Sequence, residues 1–217
     1  MNHNEIGIEA LNQGNIEKAA EAFTKAIEES PKDPVPYINF ANLLSSVNEF
    51  ERALNFFQKA IELDHTAAAA YYGAGNVYTL KEDFMKAKDY FEQALKAGME
   101  NSDLFYMLGQ TLIKLEQPKL AMPYLQRAIE LNEDDNEARF QFGMCLANEQ
   151  LLEEAVTTFT EVVTRDPQHA DAFYNLGVAY AYLEKKDEAL EMLGKAIDMQ
   201  PDHMLALHAQ KLIQEAE

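Results

Sequence analysis

YYGAGN, residues 71–76, sets two tyrosines beside two glycines that bracket an alanine, and closes on an asparagine. Helix formers are scarce in it and no catalytic constellation is visible. Yet the chain reads FYMLGQ at 105–110 and FYNLGV at 173–178. An aromatic pair, a glycine and often an amide return at a fixed interval, and the interval decides the fold.

The repetition extends over most of the chain. Alanine stands at 19, 53, 87, 121, 155 and 189, always the same distance apart. Small residues keep the same step at Gly7, Ala41, Gly75, Gly109, Gly143 and Gly177. One helical turn after each alanine comes a large apolar residue: Phe23, Phe57, Phe91, Leu125, Phe159 and Leu193. Pro31, Pro167 and Pro201 close three of the units, and no insertion breaks the period.

This pattern resembles the tetratricopeptide repeat, a helix–turn–helix unit of about 34 residues with aromatic, Leu-Gly, Tyr, Ala, Phe and Pro markers. The resemblance is to a free-standing bacterial six-repeat member and covers residues 1–203. It implies an all-α, right-handed α-solenoid of repeats 1–33, 34–67, 68–101, 102–135, 136–169 and 170–203. Residues 204–217 then form a capping helix with one apolar and one polar side, and residues 1–217 make one domain. The departures are His65, Met99 and Glu133 in place of the terminal proline, and Arg139 in place of an aromatic. Pro123 falls inside a second helix, where a kink is expected. The residues give the same architecture from packing. Gly75 and its equivalents let two helices approach, the alanines do so from the facing helix, and a single pair cannot bury both its faces.

Bulk properties narrow the function. The chain has 217 residues, 37 acids against 18 bases and a net charge of −19. Such a field repels phosphate backbones and anionic lipid, so nucleic acid and membrane are not expected partners. No apolar run is long enough to span a bilayer, the N-terminus shows no secretory pattern, and one cysteine, Cys145, fits a reducing compartment. Cytoplasm is the expected location. The five histidines show no spacing that puts two on one helical turn, and no phosphate loop or nucleophile elbow occurs. Neither metal, cofactor nor catalysis is expected, and Cys145 is read as an inert core thiol.

Counting within each repeat so that Gly75 is position 8, positions 4, 8 and 11 cluster within roughly 60° at about 100° per residue. In the third repeat these are Tyr71, Gly75 and Tyr78, the packing face. Positions 2, 5, 6, 9, 12 and 13 share the opposite arc of about 120°, which in the family resembles the lining of a concave peptide-binding groove. Position 5 offers Tyr72, Tyr106, Phe140 and Tyr174, and position 9 offers Asn42, Asn76 and Gln110. Position 6 adds Asn39, Met107, Gln141 and Asn175, and position 13 adds Asn148. Position 2 sets an acidic rim of Asp103, Glu137 and Asp171.

A carboxamide donates to a peptide carbonyl and accepts from a peptide N–H, so a row of Asn and Gln can hold an extended chain without reading its side chains. Aromatic rings beside them supply apolar contact at low entropy cost. Some members of the family clamp a terminal carboxylate with basic residues on this face; here only Lys114 is present, so an internal, neutral or basic segment is the expected ligand. The expected function is a non-catalytic adaptor for a protein or peptide partner. The alternatives are a self-assembling homo-oligomer and a regulatory subunit of an enzyme complex.

Overall fold

In the computed structural model, which describes residues 2–215, thirteen α-helices and no strand occur among the described residues. They pair as α1 (His3–Asn12) with α2 (Ile16–Glu29), α3 (Pro34–Ser46) with α4 (Phe50–Leu63), and α5 (Ala68–Leu80) with α6 (Phe84–Lys96). Next come α7 (Ser102–Lys114) with α8 (Pro118–Leu131), α9 (Asn136–Asn148) with α10 (Leu152–Arg165), and α11 (Ala170–Tyr182) with α12 (Lys186–Met199). An unpaired α13 (Met204–Glu215) follows. The chain divides into two compact units, Met1–Thr111 and Leu112–Glu217, with the boundary inside α7. Residue 1 of the first repeat and residues 216–217 of the expected capping helix lie outside the described residues.

The two helices of a repeat differ in sequence because they differ in burial. α5, AAAYYGAGNVYTL, holds no charged residue, whereas α6, FMKAKDYFEQALK, alternates apolar and charged positions at helical spacing. α5 packs against both α4 and α6, whereas α6 keeps Lys86, Asp89, Gln93 and Lys96 on an exposed side. A β-carbon at Gly75 would stand 2.5 Å from the Phe91 ring, and one at Gly143 2.7 Å from Phe159; no real side chain tolerates that approach. Ala87, Phe91, Ala155 and Phe159 are all fully buried. The first unit's core gathers around Phe23, Phe57, Phe40 and Leu43. In the second unit, one cluster forms around Phe159 and Leu176 and another around Phe173 and Leu193.

The turns inside the repeats share one backbone device. Position 15, at Gly14, Asn48, Glu82, Glu116, Gln150 and Glu184, is left-handed, with φ between 58° and 74°. Each turn closes with paired hydrogen bonds such as Glu82 N–H to Thr79 O (3.0 Å) and Asp83 N–H to Tyr78 O (2.9 Å), which satisfy the last carbonyls of the first helix. Only the first repeat uses glycine there. Second helices start on side-chain caps where the sequence allows, as at Asn15 and Asp83.

α8 is α-helical both before and after Pro123. In α13 the apolar side is only partly covered: Ala206 is buried and Ala209 and Ile213 pack beside it, while Met204, Leu205 and Leu212 are 73%, 60% and 54% exposed. Where earlier first helices carry a small residue at position 8, α13 has Lys211, which removes the close contact that seats a second helix.

Candidate functional site

In the first unit, Tyr72 and Asn76 sit one turn apart on α5, and Tyr106 and Gln110 repeat the arrangement on α7. Gln110 Nε2 donates to the Tyr106 hydroxyl, and Asn76 stands close enough to the Tyr72 hydroxyl to lower its pKa. Tyr72 is half-buried with its ring 5.7 Å from that of Phe91. Burial raises the Tyr72 phenol above its ordinary value and the charge of Asp103 adds to this, while the nearby Asn76 carboxamide opposes it. Position 9 therefore steadies the tyrosine of position 5. Each carboxamide still keeps its oxygen and a second N–H for other groups.

The remaining first-unit positions fall into place around these pairs. Asn42 and Asp103 are exposed, and Met107 is half-buried. Asn39 Nδ2 donates to Asn4 Oδ1 at 2.9 Å, so the amides at positions 6 and 5 of successive repeats meet directly. Position 6 is not uniformly open. Gly73 occupies it in the third repeat and is buried, and a β-carbon there would run into the Phe57 ring. YYGAGN thus holds two close approaches on different faces, Gly73 toward α4 and Gly75 toward α6.

The second unit presents the same face with different chemistry. Phe140 packs its ring 5.9 Å from Phe159 and 4.6 Å from the His169 ring, and Tyr174 lies 5.1 Å from His203. Both histidines cap a following helix: Nδ1 of His169 accepts from Ala172 N–H, and Nδ1 of His203 from Ala206 N–H at 3.2 Å. His203 is buried, and its Nε2 then carries the proton toward Asp171 Oδ1 at 3.1 Å. The amides are tied within their own helices. Gln141 donates to Glu137 at 2.8 Å, and Asn175 to the Asp171 carbonyl at 2.8 Å, while Asn148 is exposed.

These histidines stand where one repeat passes to the next, and they support the aromatic positions. The available signal in the sequence was their shared place as the last residue of successive repeats, where a side-chain acceptor caps the next helix. Cys145 is buried, and burial with the Glu149 charge pushes its thiol up to about 11. No group of three or more potential metal ligands gathers among the described residues, and no helix among them is long and apolar enough to cross a membrane.

A helix pair at one fixed period, a repeated glycine-or-alanine contact and aromatic and amide side chains on the opposite helical arc define a class: the chain belongs to the tetratricopeptide repeat family. Tetratricopeptide repeat models match residues 10–76, 81–136, 106–170 and 170–203. The chain is similar to the TPR repeat-containing protein YrrB of Bacillus subtilis (strain 168), 73% identical over 41 residues, a match that spans 20% of that protein. Against the crystal structure of YrrB, described as a TPR protein with an unusual peptide-binding site, it is 73% identical with a TM-score of 0.86. That likeness covers 89% of this chain and all of the other. Pseudomonas aeruginosa PilF (TM-score 0.79, 97% and 96% covered) and MamA (TM-score 0.73, 79% and 93% covered), each 19% identical, share the fold.

Proposed function

We propose that the protein is a non-catalytic interaction module that holds an extended peptide segment, neutral or basic, against the first-helix face. The observation that carries this reading is the likeness to YrrB over 89% of the chain, since that protein is described as having a peptide-binding site. In the first unit the ligand groups are Asn42, Asn76 and Gln110, flanked by Tyr72, Tyr106 and Met107. In the second they are Phe140, Gln141, Tyr174 and Asn175. Asp103, Glu137 and Asp171 supply the charge that selects against acidic segments.

The tyrosine–amide pairs give the proposal its mechanism. A carboxamide that already donates one N–H to a tyrosine is held in one orientation, so its remaining donor and acceptor are pre-aimed at a peptide backbone. Less side-chain entropy is then lost on binding. Calorimetric titration of a partner recovered by affinity capture tests the reading. Asn76→Ala with Gln110→Ala should weaken binding by about 0.5–1.5 kcal/mol for each lost hydrogen bond and leave the fold in place. Affinity should also fall as salt rises, because a chain of net charge −19 attracts a basic segment through screened charge. Binding that ignores both changes would refute the proposal.

A further inference from the structure

Position 9 of the first helices changes character part-way along the chain. It carries Asn42, Asn76 and Gln110 on α3, α5 and α7, but Met144, Val178 and Leu212 on α9, α11 and α13. An aliphatic side chain neither donates to a peptide backbone nor accepts from it, so the last helices can hold a ligand only through its apolar groups. Position 2 changes as well, from Asp171 on α11 to Leu205 on α13.

These changes meet in one recess. Between α11 and α13 the surface opens a recess of about 360 Å³, walled by Val178, Ala181, Tyr182, Leu205, Ala209 and Leu212 and flanked by Tyr174 and His208. None of its described lining residues is Asp, Glu, Lys or Arg. Tyr182 is 70% exposed, and with Leu205 and Leu212 it leaves open an apolar surface of the kind that marks an interaction site. A further second helix would not cover it, because the residue that would seat one, Lys211 at position 8, points along a different arc of α13. The edge of the recess is acidic. Asp171, one turn before Tyr174 on α11, meets His203 Nε2 at 3.1 Å beside the Tyr174 ring, and its side chain is 67% exposed.

We propose that this recess is an anchor pocket of the first-helix face, and that its occupant is a leucine- or phenylalanine-sized side chain of a partner peptide with lysine or arginine close by in its sequence. The inference rests on the peptide-binding reading of that face and adds what the amides do not supply, a preference for particular side chains. Tyr174 belongs to both, as an aromatic of the face and a wall of the recess, so a peptide lying along α11 reaches the pocket without leaving the face. The apolar side chain is drawn in by the surface it removes from water on Val178, Leu205 and Leu212. The basic neighbour is selected by the exposed Asp171 carboxylate and by the overall charge of −19, which also opposes occupation by a second copy of the chain.

The test titrates the ¹⁵N-labelled full chain with three peptides and follows backbone resonances by NMR. The probes are acetyl-Lys-Ala-Leu-Ala-Lys-amide, its counterpart with alanine in place of leucine, and its counterpart with glutamate in place of both lysines. The leucine peptide should give saturable shifts at Val178, Ala181, Leu205 and Leu212 and bind about ten-fold more tightly than the alanine peptide. The glutamate peptide should bind more weakly than either. Leu212→Asn, which restores a carboxamide at position 9 on an exposed site, should erase the preference for leucine and leave the melting temperature unchanged. The inference falls if the leucine peptide moves none of these four resonances, if the alanine peptide binds as tightly, or if the glutamate peptide binds as well as the lysine one. Equal binding of the leucine and alanine peptides with shifts at Gln141 and Asn175 alone would overturn the anchor and leave the peptide-binding face standing, whereas no shift at either place counts against both. Movement of the recess resonances with protein concentration alone would assign it to a second copy and overturn the inference too.

Discussion

The third and fifth repeats obey the same spacing and differ in what they leave unsatisfied. In the third, Gly75 receives Phe91, Tyr71 packs at position 4, and Ala74 at position 7 is buried. In the fifth, Gly143 receives Phe159 in the same way, yet position 4 is an arginine with an unpaired nitrogen and position 7 is a partly buried phenylalanine. The contact that holds a hairpin closed is therefore independent of positions 4 and 7. Stability resides in the glycine–phenylalanine contact, and variation is tolerated beside it.

The largest effect that could break this comparison is loss of the shared contact. Phe91→Ala and Phe159→Ala should each cost about 3–5 kcal/mol in chemical denaturation, because both rings are fully buried. Gly75→Leu should cost about 1–3 kcal/mol or more through overpacking against Phe91. A much smaller loss in one repeat than in the other would show that the hairpins are not equivalent.

Arg139→Phe sharpens the difference itself. It removes the buried unpaired donor and restores an aromatic, so the melting temperature should rise, with a gain of about 1 kcal/mol. A fall would mean that the Arg139 bonds to Glu161 and to the Glu133 carbonyl outweigh the unmet N–H. Smaller still is Glu116→Gly at one of the left-handed turns. Glycine adopts φ near 59° without strain, and the expected gain is about 0.5–1 kcal/mol, reduced by the extra freedom of the unfolded chain.

Cys145 provides a pH test beside Gly143. Its thiol is held protonated up to about pH 11, against an ordinary value of 9.0. Since only the thiolate attacks alkylating reagents, iodoacetamide should react slowly with the native protein at pH 9 and faster as pH approaches 11. In denaturant, reaction at pH 9 should be rapid. The sign also holds for stability: the unfolded thiol loses its proton first, so this group's contribution falls as pH rises from 9 toward 11. Equal native and denatured rates at pH 9 would contradict the buried placement.

Much of the architecture was legible in the sequence because the constraint is local and periodic. A glycine or alanine once in every period, followed by an alanine and a large apolar residue at fixed offsets, specifies a close helix pair without long-range information. The arc holding Tyr72, Asn76, Tyr106 and Gln110 followed from helical geometry alone, and the structure pairs those residues one turn apart on their helices. The left-handed turns at Asn48, Glu82, Glu116, Gln150 and Glu184 were not legible. Their φ is imposed by the closing hydrogen bonds of the Schellman turn rather than by residues that prefer it.

Tertiary structure alone decided how individual side chains are spent. Gly73 shares a helical arc with groove positions but is buried because Phe57 of the preceding repeat reaches it. His169 and His203 became caps and ring partners because the loop returns them over Phe140 and Tyr174. Arg139 and Pro123, well separated in the chain and on different helices, line adjoining recesses only because α8 and α9 pack side by side. Repeat spacing records contacts that every unit makes in the same way. The contacts made once depend on which neighbour arrives at a given face, and no periodicity in the chain encodes that.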